Sequence, residues 1–342
     1  MLSLQRLPAF YEPIAENNSV AATLVVDRRR LVGDSIERSE SNEIKSMTWQ
    51  ARATSFVLRH TLKKQLSSSA TAETIRKAFN ASHPHVPRDC IARDDALGGI
   101  RGEWMQADNV TAIGTMLYLH GGAYVACSPT THRPLTSAFA RLGWRVYAPD
   151  YRLAPEHRFP AQLHDAVAVY RALLDTGIDP KQLVIVGDSA GGNLTLALCL
   201  SLRDQGLAQP AAIALFSPVT DFAWTGDSIR SNSKRCAMFA HEMLPSGAEL
   251  FLGTHDPRDP LASPYYADLK GLPPMLFHAG DDEILRDDSI RTAERAKQAG
   301  IEVEIKTWPD VPHIWQMWHR WIPEGRESLA LTQTFLVKHS RS

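Results

Sequence analysis

No run in this chain approaches the ~20 consecutive apolar residues of a membrane-spanning helix, although 44% of its 342 residues are hydrophobic. The apolar residues are therefore expected in a core. Neither sign of charge is in excess, with 37 Lys and Arg against 38 Asp and Glu, so no basic field toward nucleic acid or anionic lipid is expected. The four cysteines, Cys90, Cys127, Cys199 and Cys236, form no CxxC pair. That spacing argues against a zinc knuckle or a disulfide framework and for reduced thiols in a cytoplasmic protein. Met1 to Val20 holds Glu12, Pro13 and Glu16 but no continuous apolar stretch, so a secretory leader is not expected there. Internal repeats and low-complexity tracts are missing as well.

What is present changes texture along the chain. Residues 1–46 are polar and mixed. Met47 to Leu66 spaces Trp49, Phe56, Val57, His60 and Lys64 at near-helical intervals, which predicts an amphipathic helix. A polar SSSATAE stretch caps a second helix that runs through Phe79. After Gly99, short apolar strands alternate with helices of a dozen or more residues, the pattern of a mostly parallel sheet covered on both faces. Asp221 to Lys270 breaks that rhythm and is too long for a simple loop. The expected organisation is an N-terminal segment with cap helices over 1–95 and an α/β domain over 96–342, with 222–262 contributing to the cap. Trp49, Phe56, Trp224, Met238 and Phe239 are candidate lid residues, with core packing equally expected for each.

The most polar and flexible hexapeptide, GDSAGG (Gly187–Gly192), sits between an apolar strand and an apolar helix in LVIVGDSAGGNLTLALCL. Strand, G-x-S-x-G, then helix is the setting of a nucleophile elbow. It would hold Ser189 strained at the carboxyl edge of the sheet, beside free N–H groups and the positive dipole end of the helix. Gly187 and Gly191 are needed where side chains would collide across the strand–helix contact. Upstream, LYLHGGAYVACS places two glycines directly after a strand, so that backbone N–H groups can approach a ligand closely. Gly121, Gly122 and Ala190 are therefore the candidate oxyanion donors, and His120 is a structural histidine fixing the loop. Asp188 reads as a loop brace.

An acid after a late strand and a histidine after the last strand complete the expected order. His313 lies between prolines in IKTWPDVPHIWQ, the best-placed histidine for a base. The acid falls in PMLFHAGDDEILRDD, where Asp281 and Asp282 are adjacent, whereas Asp287 and Asp288 read as caps of the following helix. Asp150, Arg152 and Glu156 in DYRLAPEHRFP read as a buried polar brace beneath the oxyanion loop.

Taken together, HGGAYV, DYRLAPEHRFPAQLHDA, GDSAGG, SPVTD, GDDEILRDDS and PHIWQ, in that order, resemble the hormone-sensitive-lipase-like α/β-hydrolases, especially their bacterial esterases. The resemblance covers about three quarters of the chain, from 95 to 340. It implies an α/β-hydrolase fold with a mostly parallel central sheet and a helical cap. In that family's pattern the acid directly precedes the glutamate, which selects Asp282, with Asp281 second. The implied activity is carboxylic-ester hydrolysis on short- to medium-chain acyl esters by Ser189, His313 and Asp282, through an acyl-enzyme intermediate. No metal or organic cofactor is implied; the expected partner is a small-molecule ester, with no nucleic acid or membrane and a homodimer left open. Two alternatives stand beside it: an amidase or peptidase with the same triad, and a non-catalytic ligand-binding protein on this scaffold. His313 argues against the second.

Overall fold

The computed structural model describes residues 48–66 and 71–340; the polar lead over 1–46 lies outside them. The strands are β1 Cys90–Leu97, β2 Ile100–Ala107, β3 Gly114–Leu119, β4 Trp144–Pro149, β5 Leu183–Asp188, β6 Ala212–Phe216, β7 Met275–Gly280 and β8 Val303–Trp308. They form one sheet in the order β1-β2-β4-β3-β5-β6-β7-β8. The β1–β2 and β2–β4 pairs are antiparallel, and β4, β3, β5, β6, β7 and β8 run parallel. This is an α/β-hydrolase fold, as the resemblance implies, built on the mostly parallel sheet that the strand–helix alternation predicts. Every residue of β5, β6 and β7 is buried, which is why these strands read as continuous apolar runs rather than alternating ones.

The helices are α1 Trp49–His60, α2 Leu62–Gln65, α3 Ala72–Phe79, α4 Arg133–Arg141, α5 Ala161–Asp175, α6 Ala190–Asp204, α7 Ser228–Ser231, α8 Leu244–Leu252, α9 Arg286–Gln298 and α10 Pro323–Ser340. Alternate strand residues divide between the two faces of the sheet. Met116, Tyr118, Val184 and Val186 pack with α4 and α10, whereas Leu117, Leu119, Ile185 and Ile213 pack with α5, α6 and α9. Each such fully buried Val or Leu contributes about 1.5–3 kcal/mol over an exposed one. Among the described residues no helix is long and apolar enough to cross a membrane.

Three expectations are corrected here. The sheet begins at Cys90, so the domain boundary placed at 95/96 falls inside β1, whose Ala-Arg-Asp-Asp-Ala centre hides an edge strand behind charge. Asp287 and Asp288 do not cap α9. Asp287 accepts from Ser228 N at 2.8 Å and Asp288 from Thr220 N at 2.6 Å, so both brace the segment after β6. Asp150, Arg152 and Glu156 do not form one buried brace either. Asp150 is exposed, Arg152 pairs with Asp165 of α5 at 2.6 Å, and Glu156 pairs with Arg76 of α3.

Candidate active site

Ser189 sits between β5 and α6 with φ 52° and ψ −119°, a conformation costing on the order of 1–3 kcal/mol for a non-glycine residue. The surrounding chain imposes it. Ser189 N donates to Phe216 O at 2.8 Å. A Cβ on Gly187 would lie 2.3 Å from Gly191 O, and one on Gly191 would lie 1.9 Å from Leu119 O. Strand and helix can meet this closely only where both positions are glycine, so the hexapeptide is polar and small because it is a turn under compression.

Asp188 is fully buried below the elbow and receives Tyr118 Oη at 2.7 Å, Gly121 N at 3.1 Å and the facing His132 Nε2 at 3.4 Å. Burial alone would raise its carboxyl, but the facing His132 and the Tyr118 hydroxyl outweigh burial and hold it below the ordinary range. The bracing role expected for Asp188 matches these contacts. It also corrects one expected donor: the Gly121 N–H is already spent on Asp188. Among the described residues, the N–H groups of Gly122 and Ala123 donate to nothing within the chain, and Ala190 opens α6, where N–H groups have no helical partner. Ala123, which sequence reasoning did not single out, lines the same cavity as Ser189 and Ala190.

His120 is buried beneath this loop, stacked on Tyr151 at 4.2 Å, with Nδ1 2.7 Å from Gly121 O. Burial pushes its imidazole down to about 3, and the nearby His132 adds to the effect. A ring so reluctant to take up a proton suits the structural role and not that of a base.

His313 follows β8 and is almost fully buried. Its Nδ1 lies 2.5 Å from Glu283 Oε2, and its Nε2 is buried with no hydrogen-bond partner. Glu283 Oε1 accepts from Ser217 Oγ at 2.7 Å and from Gly280 N at 2.6 Å. The acid on His313 is thus Glu283 and not Asp282. Asp282 lies instead against Arg235 at 3.3 Å and is more exposed, and Asp281 N is tied to Trp308 O. The backbone explains the choice: Glu283 N bonds back to Gly280 O at 3.2 Å. That turn folds the longer glutamate side chain over the Gly280 N–H toward β8. A Cβ on Gly280 would lie 2.8 Å from Glu283 Oε1, so the glycine three residues earlier was the signal available in the sequence.

Ser189 opens into a cavity of ≈ 100 Å³ with almost wholly apolar walls. Leu66, Ile75 and Phe79 come from the N-terminal helical segment, and Phe239, Met243 and Leu244 from the segment before and into α8. Phe239 also meets the His313 ring edge-on at 5.1 Å. Of the candidate lid residues, Trp224 and Phe239 line this cavity and Met238 is buried nearby in sequence, while Trp49 and Phe56 are 63% and 59% exposed. Ala51 of α1 packs with Trp308, Val311 and Trp315 around the His313 loop, so α1 lies at the carboxyl end of the sheet. Among the described residues no cluster of His, Cys, Asp and Glu is arranged to hold a metal ion.

Comparison with known proteins agrees with this architecture. The family model Abhydrolase_3, described as an alpha/beta hydrolase fold, matches residues 116–317. An acetyl-hydrolase of Streptomyces hygroscopicus is 41% identical over 241 residues, covering 70% of this chain and 80% of that protein. An esterase of Acinetobacter venetianus is 37% identical over 287 residues, or 82% of this chain and 94% of that one. Among solved structures, EstE5 superposes with a TM-score of 0.83 at 36% identity, covering 86% of this chain and 100% of EstE5. An esterase from the bacterial hormone-sensitive lipase family gives 0.80 at 37% identity, covering 86% of this chain and 99% of its own.

Proposed function

The chain belongs to the α/β-hydrolase fold family, among the hormone-sensitive-lipase-type carboxylesterases, and on that premise we propose that Ser189, His313 and Glu283 are its catalytic triad. The observation that carries this reading is the 2.5 Å contact between His313 Nδ1 and Glu283 Oε2, which leaves Nε2 buried and unpartnered. An imidazole held this way presents one nitrogen to a nucleophile and has the other fixed by a carboxylate.

The reaction then runs in two halves. Ser189 Oγ attacks the acyl carbon while its proton passes to His313 Nε2, and Glu283 stabilises the imidazolium without taking the proton. The N–H groups of Gly122, Ala123 and Ala190 receive the developing oxyanion. Collapse expels the alcohol, protonated by His313, and leaves an acyl-serine. Water attacks that ester with His313 again as base, and the carboxylic acid departs as Ser189 Oγ recovers its proton. The small apolar cavity fits short to medium acyl esters under a cap built from α1–α3 and 222–262.

The test is hydrolysis of a p-nitrophenyl ester series beside matched anilides. Ser189→Ala should lower ester turnover by at least about 10³-fold, and a fluorophosphonate should label Ser189 alone in the native enzyme. A label on another serine, or a Ser189→Ala enzyme with more than a few per cent of activity, would refute the triad. Anilide turnover matching ester turnover would move the activity to amides.

A further inference from the structure

The oxyanion loop closes on itself through Gly122 O, which accepts from Val125 N at 3.0 Å and from Ala126 N at 2.9 Å, and its backbone is strained there. Gly122, Ala123 and Tyr124 are successive residues with φ of 111°, 55° and 62°, and Cys127 follows at 73°. Left-handed conformations cost roughly 1–2 kcal/mol for each non-glycine residue, so the surroundings must over-determine the loop. From the core side, Asp188 takes the Gly121 N–H and Asn193 takes the Tyr124 hydroxyl at 2.6 Å. The loop's outer side is held by a cap helix.

Arg76 and Asn80, at the end of α3, supply those contacts. Arg76 Nε donates to Val125 O at 2.9 Å, and its Nη2 donates to Ala154 O at 3.0 Å. Ala154 N in turn donates to Tyr124 O at 2.8 Å. Glu156 grips the same guanidinium with both oxygens, at 2.8 and 2.5 Å, and so fixes the plane in which the other N–H groups point. Asn80 Oδ1 accepts the Cys127 N–H at 2.8 Å. The Tyr124 and Val125 carbonyls and the Cys127 N–H therefore end on α3 or on a residue that α3 holds.

The same helix faces the cavity. Ile75 and Phe79, spaced i and i+4, line the space into which Ser189 opens, while Arg76 and Asn80, at the same spacing, form the adjoining face. A helix of 8 residues has little stability of its own; its position is set by what it packs on and bonds to.

We propose that Arg76 and Asn80 are positioning residues for the oxyanion donors, and that α3 couples occupancy of the substrate cavity to the alignment of Gly122 and Ala123. A ligand that presses on Ile75 and Phe79 seats the helix, and the seated helix aims the donors. This rests on the reading that the Gly122, Ala123 and Ala190 N–H groups receive the oxyanion. The loss expected on cutting the anchor falls on the transition state, where a misplacement of about 1 Å costs as much as ~100-fold.

The test compares Arg76→Gln, Arg76→Lys, Asn80→Ala and Asn80→Asp in the full chain. Each is assayed with a short p-nitrophenyl ester and with a trifluoromethyl ketone, whose tetrahedral adduct carries an oxyanion. Arg76→Gln and Asn80→Ala should lower kcat about 10- to 100-fold with KM within about 3-fold, and should weaken the ketone in proportion to kcat. Asn80→Asp keeps the acceptor for Cys127 N and should restore kcat, whereas Arg76→Lys keeps only the charge and should not. Unchanged kcat in Asn80→Ala and Arg76→Gln overturns the proposal. So does failure of Asn80→Asp to restore kcat, or a loss that tracks a lowered thermal midpoint and not ketone affinity. If Ser189→Ala retains activity, the triad reading itself fails. If Ser189→Ala is inactive while the α3 variants behave as wild type, only the coupling fails.

Discussion

Glu283 Oε2 lies 2.5 Å from His313 Nδ1, while Asp282, one residue earlier, turns to Arg235 at 3.3 Å. The two carboxylates are neighbours in sequence and belong to different networks. Burial pushes the Asp282 carboxyl up, the facing Arg235 pulls it back, and Asp310 and Asp281 add to the upward push. Its surroundings are those of a rim charge rather than of a carboxylate that must stay ionised beside an imidazolium.

Glu283→Gln should therefore lower kcat by about 10³- to 10⁴-fold, the scale seen when an orienting acid loses its charge. Asp282→Asn should stay within about 5-fold of the parent, as expected of a partly exposed ion pair. Steady-state kinetics on one ester decides it: the reverse order of damage would return the role to Asp282.

The sheet, the strand–turn–helix at Ser189 and the placement of His313 were legible because each rests on a local pattern: apolar runs bounded by turns, G-x-S-x-G between strand and helix, a proline-flanked histidine after the last strand. The carboxylate on His313 was not legible: the sequence points to Asp282, with Asp281 second, whereas Glu283 makes the contact. Asp281, Asp282 and Glu283 satisfy the same chain order, and the direction in which each side chain leaves a tight turn is decided by the Glu283 N to Gly280 O bond. Which N–H groups of the HGG loop are free was not legible for a related reason. HGG announces a loop of close approach, but which N–H remains free depends on Asp188, which is 67 positions from Gly121. β1 was hidden because its Arg93, Asp94 and Asp95 sit in an antiparallel hairpin with one solvated face, where charge is tolerated.

Asp188 gives a pH-dependent prediction. Its carboxyl is held below the ordinary range in the folded protein, so the unfolded chain takes up protons first as pH falls. The stability it contributes is complete above the unfolded value of about 3.9 and is lost as pH drops through the folded one. Asp188→Asn should cost stability at pH 7, since His132 and Tyr118 lose a buried charged acceptor. That cost should shrink as pH falls below about 4. Thermal midpoints of both proteins across pH 3–8 (~1-unit steps) would show it; a constant difference would contradict the assignment.

Asp288 has the opposite sign. It is fully buried, Oδ2 accepts from Thr220 and Asp221 N–H groups, and Oδ1 has no partner. Burial raises its carboxyl to about 7, the backbone N–H of Thr220 pulls it down, the neighbouring Asp221 raises it further, and Arg291 opposes. A raised folded value means the protonated form stabilises the fold, fully below the unfolded value of about 3.9. That contribution declines as pH rises from there to about 7 and is flat above. Asp288→Asn keeps an acceptor for the two N–H groups without the charge. The variant should show a flatter midpoint profile across this window and gain relative to the parent at pH 8. A parallel profile would show that Asp288 does not titrate there.

Phe239 joins the cavity wall to the base, lining the space beside Ser189 while meeting the His313 ring at 5.1 Å. Phe239→Ala should therefore do two separable things. Loss of the ring beside His313 lowers turnover of every ester by a common factor, and the vacated volume admits longer acyl chains. The second effect is read from ratios, which cancel the first. Each further methylene buried in the enlarged cavity is worth about 0.8 kcal/mol, or roughly 4-fold in kcat/KM. The chain length with highest kcat/KM should move upward by about two carbons, with acetyl esters losing most, because they leave the new space unfilled. Measuring kcat/KM from acetate to decanoate in parent and variant tests both parts. A uniform drop with the profile unshifted would mean that Phe239 only supports His313 and that the acyl chain lies elsewhere.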